Sequence, residues 1–435
     1  MPQNDRERVQ GLEAALAQMP SSSSEVLAEL LELHVERGAW DAVFDTAKRM
    51  LAEEPRHETA LRRAIKAATA LNLLKEAIAF VDRLLEIYPD DVHTWHKGAF
   101  FASQIGDPSA YRRAERCCQL DPGNPLHENL RRTIAAKAVP IWHFTMMNDV
   151  PRNSAYAEGI ARHVKDKLVL EIGTGAGLLA LLAARSGAQR VITCEANVLL
   201  AETAREIVAA NGLSHIITVV PKMSTDLVVG VDLPEKADIL VAEIFASLLV
   251  GEGVLASLND ARTRLLKPGA RAIPGAVACC GALAAGRGLE NLLRVDKVHG
   301  FDMTAMNKFA GSSIALKAPV TDLAWLSKPA DLFGFDLNSV TFALKGRTRV
   351  EVTTTTAGRA AGVVAWMRLD FDEQTAFENR PSSVSSPGHW APHFFAFAQP
   401  LDLVPGQVVA FDCIYTNRAV LVDLSGATLS NPARN

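Results

Sequence analysis

The sequence has no C-x-x-C pair, no long apolar run and no surplus of basic charge. Its six cysteines include two adjacent pairs, Cys117–Cys118 and Cys279–Cys280. That spacing fits neither a zinc site nor a secreted disulfide framework, so reduced, buried thiols in a cytosol are expected, with no metal. The N-terminal MPQNDRERVQ lacks the apolar core of a signal peptide, and no apolar stretch reaches the ~18 residues of a spanning helix. A cytoplasmic protein with no membrane association is therefore expected. A formal net charge of −4 gives no basic footprint, which argues against a nucleic-acid partner. What is present is an ordinary globular composition, 49% hydrophobic and 22% charged over 435 residues, enough chain for two or three domains.

The chain changes texture twice. Residues 1–130 are rich in Ala, Leu and Glu with a helical period, and they repeat: 24–57 and 58–91 are units of 34 residues, and 92–124 is one of 33. Pro55, Pro89 and Pro122 close the three units at one phase, where proline ends the second helix of a pair. The period resembles that of tetratricopeptide (TPR) repeats, which stack helical hairpins into a solenoid; a generic helical domain is the plainer alternative. Residues 131–160 form an aromatic-rich connector and a capping helix expected to begin near Ser154. From 161 to 274, strand candidates (KLVLEI, RVITCEA, HIITVVPK, KADILVAEIF, ARAIPG) alternate with helical stretches, the pattern of a doubly wound, Rossmann-like α/β domain. Residues 275–435 read as strands (VACCGAL, SVTFALKG, RVEVTTTT, GVVAWMRLDF, HFFAFA, QVVAFDCIYT), expected to form an antiparallel sandwich or barrel. An insertion or arm interrupts them at about 288–311.

Three glycines, Gly173, Gly175 and Gly177, follow the strand LVLEI and precede a helix. Such a turn lets a ligand approach the backbone, but dinucleotide and other nucleotide sites share it. Here the spacing is G-x-G-x-G and the preceding strand already carries an acid, Glu171. The next strand ends in Glu195, where an acid accepts ribose hydroxyls. Downstream, LLKPGARAIP has the Lys-Pro-Gly turn frequent in methyltransferases. Together these favour S-adenosyl-L-methionine over NAD; Glu195 alone would be an ordinary strand-end acid. Ligands of open α/β sheets lie beyond the carboxyl ends of the strands. EIFASLLVGEG begins there, and its acids, Glu243 and Glu252, bracket a short apolar run. Two carboxylates facing one place are suited to a cation.

Five ordered stretches, WHFTMMNDVPRNSAY, LEIGTGAGLLALLA, VITCEA, EIFASLLVGEG and PGHWAPHFFAF, together resemble the protein arginine methyltransferases, most closely the branch with N-terminal tetratricopeptide repeats. The resemblance spans about residues 139 to 425. It implies a class I methyltransferase Rossmann domain joined to a β-barrel with an inserted dimerisation arm, and hence a homodimer. It implies that Glu243 and Glu252 hold the acceptor guanidinium and that Asp149 partners His389 in catalysis. Arg152, Glu171, Gly173, Gly175, Gly177, Glu195, Ser224 and Met146 fall at cofactor-binding positions, with Arg152 on the cofactor carboxylate. Trp390 and Phe245 fall at the acceptor pocket, and Trp142, His143 and Phe144 fold over the cofactor. The chain departs from the family pattern at Gly388, where threonine or serine is common, at Ala246 and Leu249 in the glutamate loop, and at Ser224, where some members have glutamate.

The implied activity is methyl transfer to arginine in proteins or peptides. Two other readings fit the same residues: an enzyme acting on a small guanidine or amine, and a helical-repeat scaffold whose methyltransferase half is inactive.

Overall fold

The computed structural model describes residues 8, 10–12, 14, 23–251, 253–339, 341–381 and 388–430. The chain divides into two compact units, Met1–Pro140 and Ile141–Asn435.

The first unit is helical: α1 (Ser23–Glu36), α2 (Trp40–Glu53), α3 (Glu58–Ala70), α4 (Leu74–Leu85), α5 (Val92–Gln104), α6 (Ala110–Leu120) and α7 (Pro125–Ala138). Each repeat read from the sequence is one pair, α1–α2, α3–α4 or α5–α6, and the three prolines lie just past the ends of α2, α4 and α6. Alanines at the crossings (Ala60, Ala64, Ala67, Ala68, Ala77) have no exposed surface and let the helices approach closely around Leu61, Val81 and Leu84. Polar contacts link the equivalent helices of successive pairs. Arg63 grips Glu32 through two hydrogen bonds of 3.0 and 2.7 Å, and Arg113 reaches Asp82 at 2.7 Å. Helix α7 runs through residue 130 and ends just before the boundary between the units.

The second unit opens with α8 (Trp142–Met147) and α9 (Val150–His163). Helix α9 starts four residues before the expected Ser154, because Asp149 caps it by accepting from the Arg152 N–H at 3.2 Å and Pro151 suits the first turn. Five strands follow: β1 (Leu168–Ile172), β2 (Arg190–Cys194), β3 (Ile217–Val220), β4 (Ala237–Ala242) and β5 (Leu266–Ile273), with α10 (Leu178–Arg185), α11 (Val198–Ala210) and α12 (Val254–Arg264) between them. Their order is β3-β2-β1-β4-β5 and every pairing is parallel. All five residues of β1 are buried, as expected of a strand covered by helices on both faces. The order reverses between β1 and β4, the place where such sheets open a crevice for ligands.

The rest is antiparallel. After β6 (Ala276–Ala285) comes the arm: α13 (Arg287–Leu293), the hairpin β7 (Lys297–Val298) and β8 (Phe301–Asp302), and a 3-10 turn at Thr304–Phe309. Then follow β9 (Ser313–Ala315), β10 (Ala324–Trp325), β11 (Ala330–Asp336), β12 (Lys345–Thr353), β13 (Gly358–Asp370), β14 (Ala376–Glu378), β15 (His393–Leu403), β16 (Val408–Thr416) and β17 (Val420–Ser430). One sheet runs β10-β6-β13-β15-β9, with β11 on β6 and β14 on β13; the other is β12-β16-β17. SVTFALKG was expected to be a strand, but β12 begins only at Lys345. Phe342 instead packs against Phe335 at 5.8 Å between ring centres and exchanges backbone hydrogen bonds with the Asn259 side chain. Strands β11 and β17 carried too little alternation to be read from sequence. Among the described residues no helix is long and apolar enough to cross a membrane, and no cluster of three or more His, Cys, Asp or Glu is placed to hold a metal.

Candidate active site

The glycine turn leaves the carboxyl end of β1. Gly173 has φ of 87°, a left-handed conformation that disfavours any side chain. A Cβ there would also lie 2.6 Å from Ile244 Cγ2 and 3.2 Å from the Glu243 carbonyl. Glycine is therefore required for the turn after β1 to lie against the segment after β4. The turn is tied to the end of β2: the N–H groups of Gly173 and Thr174 both donate to the Cys194 carbonyl at 3.1 Å, and the Thr174 and Thr193 hydroxyls bond to each other. The Glu195 carboxylate accepts from Gly175 N–H at 3.0 Å and from Asn197 N–H at 2.8 Å, which holds it rigidly at the strand end. Gly177 begins α10.

Over this turn lies α8. Met146 is buried, and its Cε and the His143 Nδ1 come within about 4 Å of where a Gly175 side chain would begin. The Trp142 ring stacks on His143 with centroids 3.8 Å apart, leaving Trp142 and Phe144 on the exposed side. Ser224 is buried at the head of the 3-10 turn that follows β3, and its carbonyl accepts from Arg264 at 3.3 Å.

Beyond β4, a second group of side chains converges. Glu243 has a side chain only 10% exposed, and its Oε2 sits 2.9 Å from Arg152 Nη2. Arg152 projects from the first turn of α9 and is fully enclosed. Its guanidinium lies over the Tyr156 ring at 5.0 Å and the Trp390 ring at 5.7 Å, and its Nη1 donates to Asn153 Oδ1 at 2.7 Å. His389 Nδ1 is 3.3 Å from Asp149 Oδ2, and its Nε2 is 3.8 Å from Glu243 Oε1. Trp390 donates from Nε1 to the Phe245 carbonyl at 2.8 Å, pinning the segment after β4 to the strand-rich half. Of the sequence-derived residues, Glu243, Asp149, Arg152, His389, Trp390 and Phe245 form one cluster, adjoining the end of β1 with Glu171, the turn of Gly173, Gly175 and Gly177 that follows it, and Glu195 just past β2. Glu252 lies outside the described residues.

Gly388 has a physical role here. A Cβ at this position would fall 2.3 Å from Asp149 Oδ2, so the serine or threonine common in the resembled family would displace that carboxylate. Its absence lets Asp149 approach His389 directly while capping α9. Two further residues belong to the cluster that sequence reading did not single out. Tyr156 lies one helical turn after Arg152 and donates to the Ala242 carbonyl at 3.0 Å; Asn153 holds Arg152 and donates to the Met147 carbonyl at 2.9 Å. The i, i+4 spacing of Arg152 and Tyr156 was the available signal.

The electrostatics follow from burial. Glu171 is fully enclosed, neither of its oxygens has a hydrogen-bond partner, and burial pushes its pKa up to about 8. Burial also lowers the pKa of His143. For His389, burial acts to lower the pKa, but the hydrogen bond to Asp149 and the charge of nearby Glu243 outweigh it and the net direction is up. Asp149 goes the opposite way: burial would raise it, yet its bonds to His389 and to the Arg152 N–H hold it below the usual carboxylate range.

Unpartnered buried polar atoms surround the turn: both Glu171 oxygens, His143 Nδ1 and Arg152 Nε. Buried polar groups are normally satisfied, so this set fits a polar ligand bearing hydroxyls, amines and a carboxylate. An adenosyl amino acid has that donor and acceptor complement.

Residues 289–422 match the family model described as the arginine methyltransferase oligomerization subdomain, and residues 158–277 match the model of ribosomal protein L11 methyltransferase. An arginine N(omega)-methyltransferase of Streptomyces achromogenes subsp. streptozoticus is 38% identical over 280 residues, covering 64% of this chain and 76% of that protein. Protein arginine N-methyltransferase 7 of Drosophila mojavensis is 40% identical over 146 residues, 32% of this chain but only 21% of the fly protein. Among solved structures, the Trypanosoma brucei PRMT1 enzyme-prozyme heterotetrameric complex with AdoHcy matches 68% of this chain and 98% of its own, with a TM-score of 0.58 at 22% identity. Arabidopsis thaliana protein arginine methyltransferase 10 matches 68% of this chain and 97% of its own, with a TM-score of 0.55 at 20% identity. These two establish the fold, a methyltransferase Rossmann-like domain followed by a barrel. The Streptomyces relative, matched across three quarters of its length, places the sequence: the chain belongs to the arginine methyltransferase family.

Proposed function

We propose that this protein transfers methyl groups from S-adenosyl-L-methionine to a guanidinium nitrogen of arginine. The observation that carries the reading is a largely enclosed carboxylate, Glu243, at the carboxyl end of β4, flanked by Arg152 and His389 and in backbone contact with the glycine turn. Glu171, Glu195, Met146, Ser224 and the glycines would hold the cofactor, with Arg152 on its carboxylate. When bound, the cofactor supplies an electrophilic methyl group on a cationic sulfur.

A guanidinium has a pKa of about 13.8, so deprotonating it in advance at pH 7 costs about 9 kcal/mol. Glu243, and by the resemblance Glu252, instead bind the charged group through fixed N–H···O bonds. They offset the repulsion between two cations and aim one terminal nitrogen along the line of transfer. The proton then leaves as the methyl is transferred or afterwards, to Glu252 or through His389 and Asp149. Trp390 and Phe245 border the acceptor. Replacing Glu243 or Glu252 by Gln removes a charge-assisted bond and should cost about 2–4 kcal/mol of transition-state stabilisation. Cofactor binding should persist in both variants. Steady-state kinetics and calorimetry on both variants check this, and full activity in both would refute the assignment.

An arginine residue in a protein or peptide is the favoured acceptor. The helical pairs of the first unit, with their tetratricopeptide-like period, would recruit an extended chain or contact a partner subunit. Free arginine or a small guanidine is the second reading, supported by the Streptomyces relative, whose name specifies arginine without specifying protein. Methyl transfer to an arginine-rich peptide compared with transfer to free arginine decides between them. Failure to bind the cofactor would favour a non-catalytic scaffold. The match to an oligomerization subdomain and the exposed Phe301 and Phe309 of the arm, each 72% accessible, support a homodimer. A cytoplasmic location accords with the reduced cysteines.

A further inference from the structure

Arg152 is itself a guanidinium bound to Glu243. It has the surroundings a substrate arginine would require: a carboxylate at 2.9 Å, aromatic rings at 5.0 and 5.7 Å, and complete burial. Its hydrogen bonding is uneven. Nη1 is satisfied by Asn153 and Nη2 by Glu243, while Nε has no partner. Nε and Nη2 form one edge of the planar group, the edge that binds a carboxylate through two parallel bonds. Half of that edge is idle and the other half is held by Glu243.

We infer that Arg152 is an internal stand-in for the acceptor, and that a ligand carboxylate docking on its Nε–Nη2 edge loosens its hold on Glu243 and readies that residue for the incoming guanidinium. The argument is one of shared donors and charge. A carboxylate that satisfies Nε must also draw on Nη2, so it competes with Glu243 for one nitrogen and neutralises part of the charge that Glu243 faces. Glu243 then has a stronger demand for a second cation, and His389, 3.8 Å from its other oxygen, is the only other cationic side chain among the described residues paired with it. The two sites are therefore positively coupled through one positioning residue, and coupling of this kind is reciprocal. The enzyme would hold its acceptor site closed by its own arginine until the nucleotide ligand is in place, which limits unproductive acceptor binding.

The inference rests on the proposed function, and the test separates the two. Binding of L-arginine and of the peptide acetyl-Gly-Arg-Gly amide to the full chain is measured by calorimetry in three states: alone, with saturating S-adenosylhomocysteine, and with decarboxylated S-adenosylhomocysteine, which keeps the nucleoside and amine. S-adenosylhomocysteine should tighten the acceptor on the order of tenfold, and the decarboxylated analogue should leave it near the ligand-free value. In Arg152→Met the two nucleosides should become equivalent. Because the comparison of the two analogues is made on the unaltered protein, it stands even if that variant does not fold. Equal tightening by both analogues, or no tightening by either, overturns the coupling alone. A chain that binds neither nucleoside overturns the proposed function and the coupling with it.

Discussion

At the scale of single residues, this site is governed by what burial does to charge. Asp149 and His389 stabilise each other as an ion pair, and Asp149 also caps α9. The aspartate pKa is lowered in the fold, so its contribution is present above the usual carboxylate range and is lost as pH falls through the folded value. The histidine pKa is raised, so its contribution is complete below about 6.5 and fades as pH rises through the folded value. The stability gap between the native protein and Asp149→Asn should therefore be widest near pH 5–6 and should shrink towards zero by pH 9, because asparagine caps a helix as well as aspartate and only the charge pair is lost. Urea titrations across that range measure it. Glu171 gives the opposite case. Its pKa rises to about 8, so the ligand-free protein loses stability between the ordinary carboxylate range and pH 8 as the buried acid is asked to ionise. Glu171→Gln should raise the ligand-free melting temperature at pH 8 and have little effect at pH 4.5, while weakening cofactor binding; thermal shift and calorimetry read the two effects.

At the scale of elements, α9 links the two halves of the second unit. Its first turn carries Asp149 and Arg152 into the site, and its last turn grips the turn between β13 and β14. Arg162 donates to both oxygens of Asp372 at 2.7 and 3.1 Å, and His163 lies 3.2 Å from the same carboxylate. Gly159 and Tyr156 pack on Phe371 beside it. Burial would raise the pKa of Asp372, but these bonds and the backbone N–H groups of Gln374 and Thr375 hold it far below the usual range. Asp372→Asn should cost about 1.5–3 kcal/mol, the range for hydrogen bonds to charged groups. The deficit should be constant from pH 5 to 8 and narrow below pH 4, where the aspartate of the unfolded chain takes up a proton before the native one does. Since α9 positions Arg152, the same variant should lower cofactor affinity as well. Chemical denaturation and calorimetry on one preparation test both.

At the scale of the whole molecule, the chain holds two separately cored units, and the site is built entirely within the second. Residues 141–435 should therefore fold as a fragment with the near-ultraviolet dichroism of a packed core. They should retain methyl transfer to free arginine or a short peptide. If the helical pairs recruit extended substrates, the fragment should show a raised KM for a long arginine-rich protein and an unchanged kcat. Analytical ultracentrifugation of the same fragment should show a dimer that Phe301→Asp converts to a monomer.

Sequence pattern alone determined a good deal. The 33- to 34-residue period and its phased prolines marked the helical pairs, because each pair must end its second helix before the next can stack. Alternating apolar strands and amphipathic helices marked the parallel sheet, and the glycine turn with Glu171, Glu195 and Glu243 marked its carboxyl edge, where a ligand of such a sheet is expected. Shorter features were not legible. The start of α9 depends on a cap, β12 begins late because Phe342 joins an aromatic cluster, and β11 and β17 lack a strict alternation. What only the tertiary structure decided is pairing across long separations. Asp149 meets His389 across 240 positions and Trp390 meets Phe245 across 145; Gly388 matters because a carboxylate from α9 occupies the space its side chain would fill. Arg152 is held against Glu243 for the same reason: local propensity places residues on elements, but the mutual approach of buried charges is settled only when the elements pack and water is excluded between them.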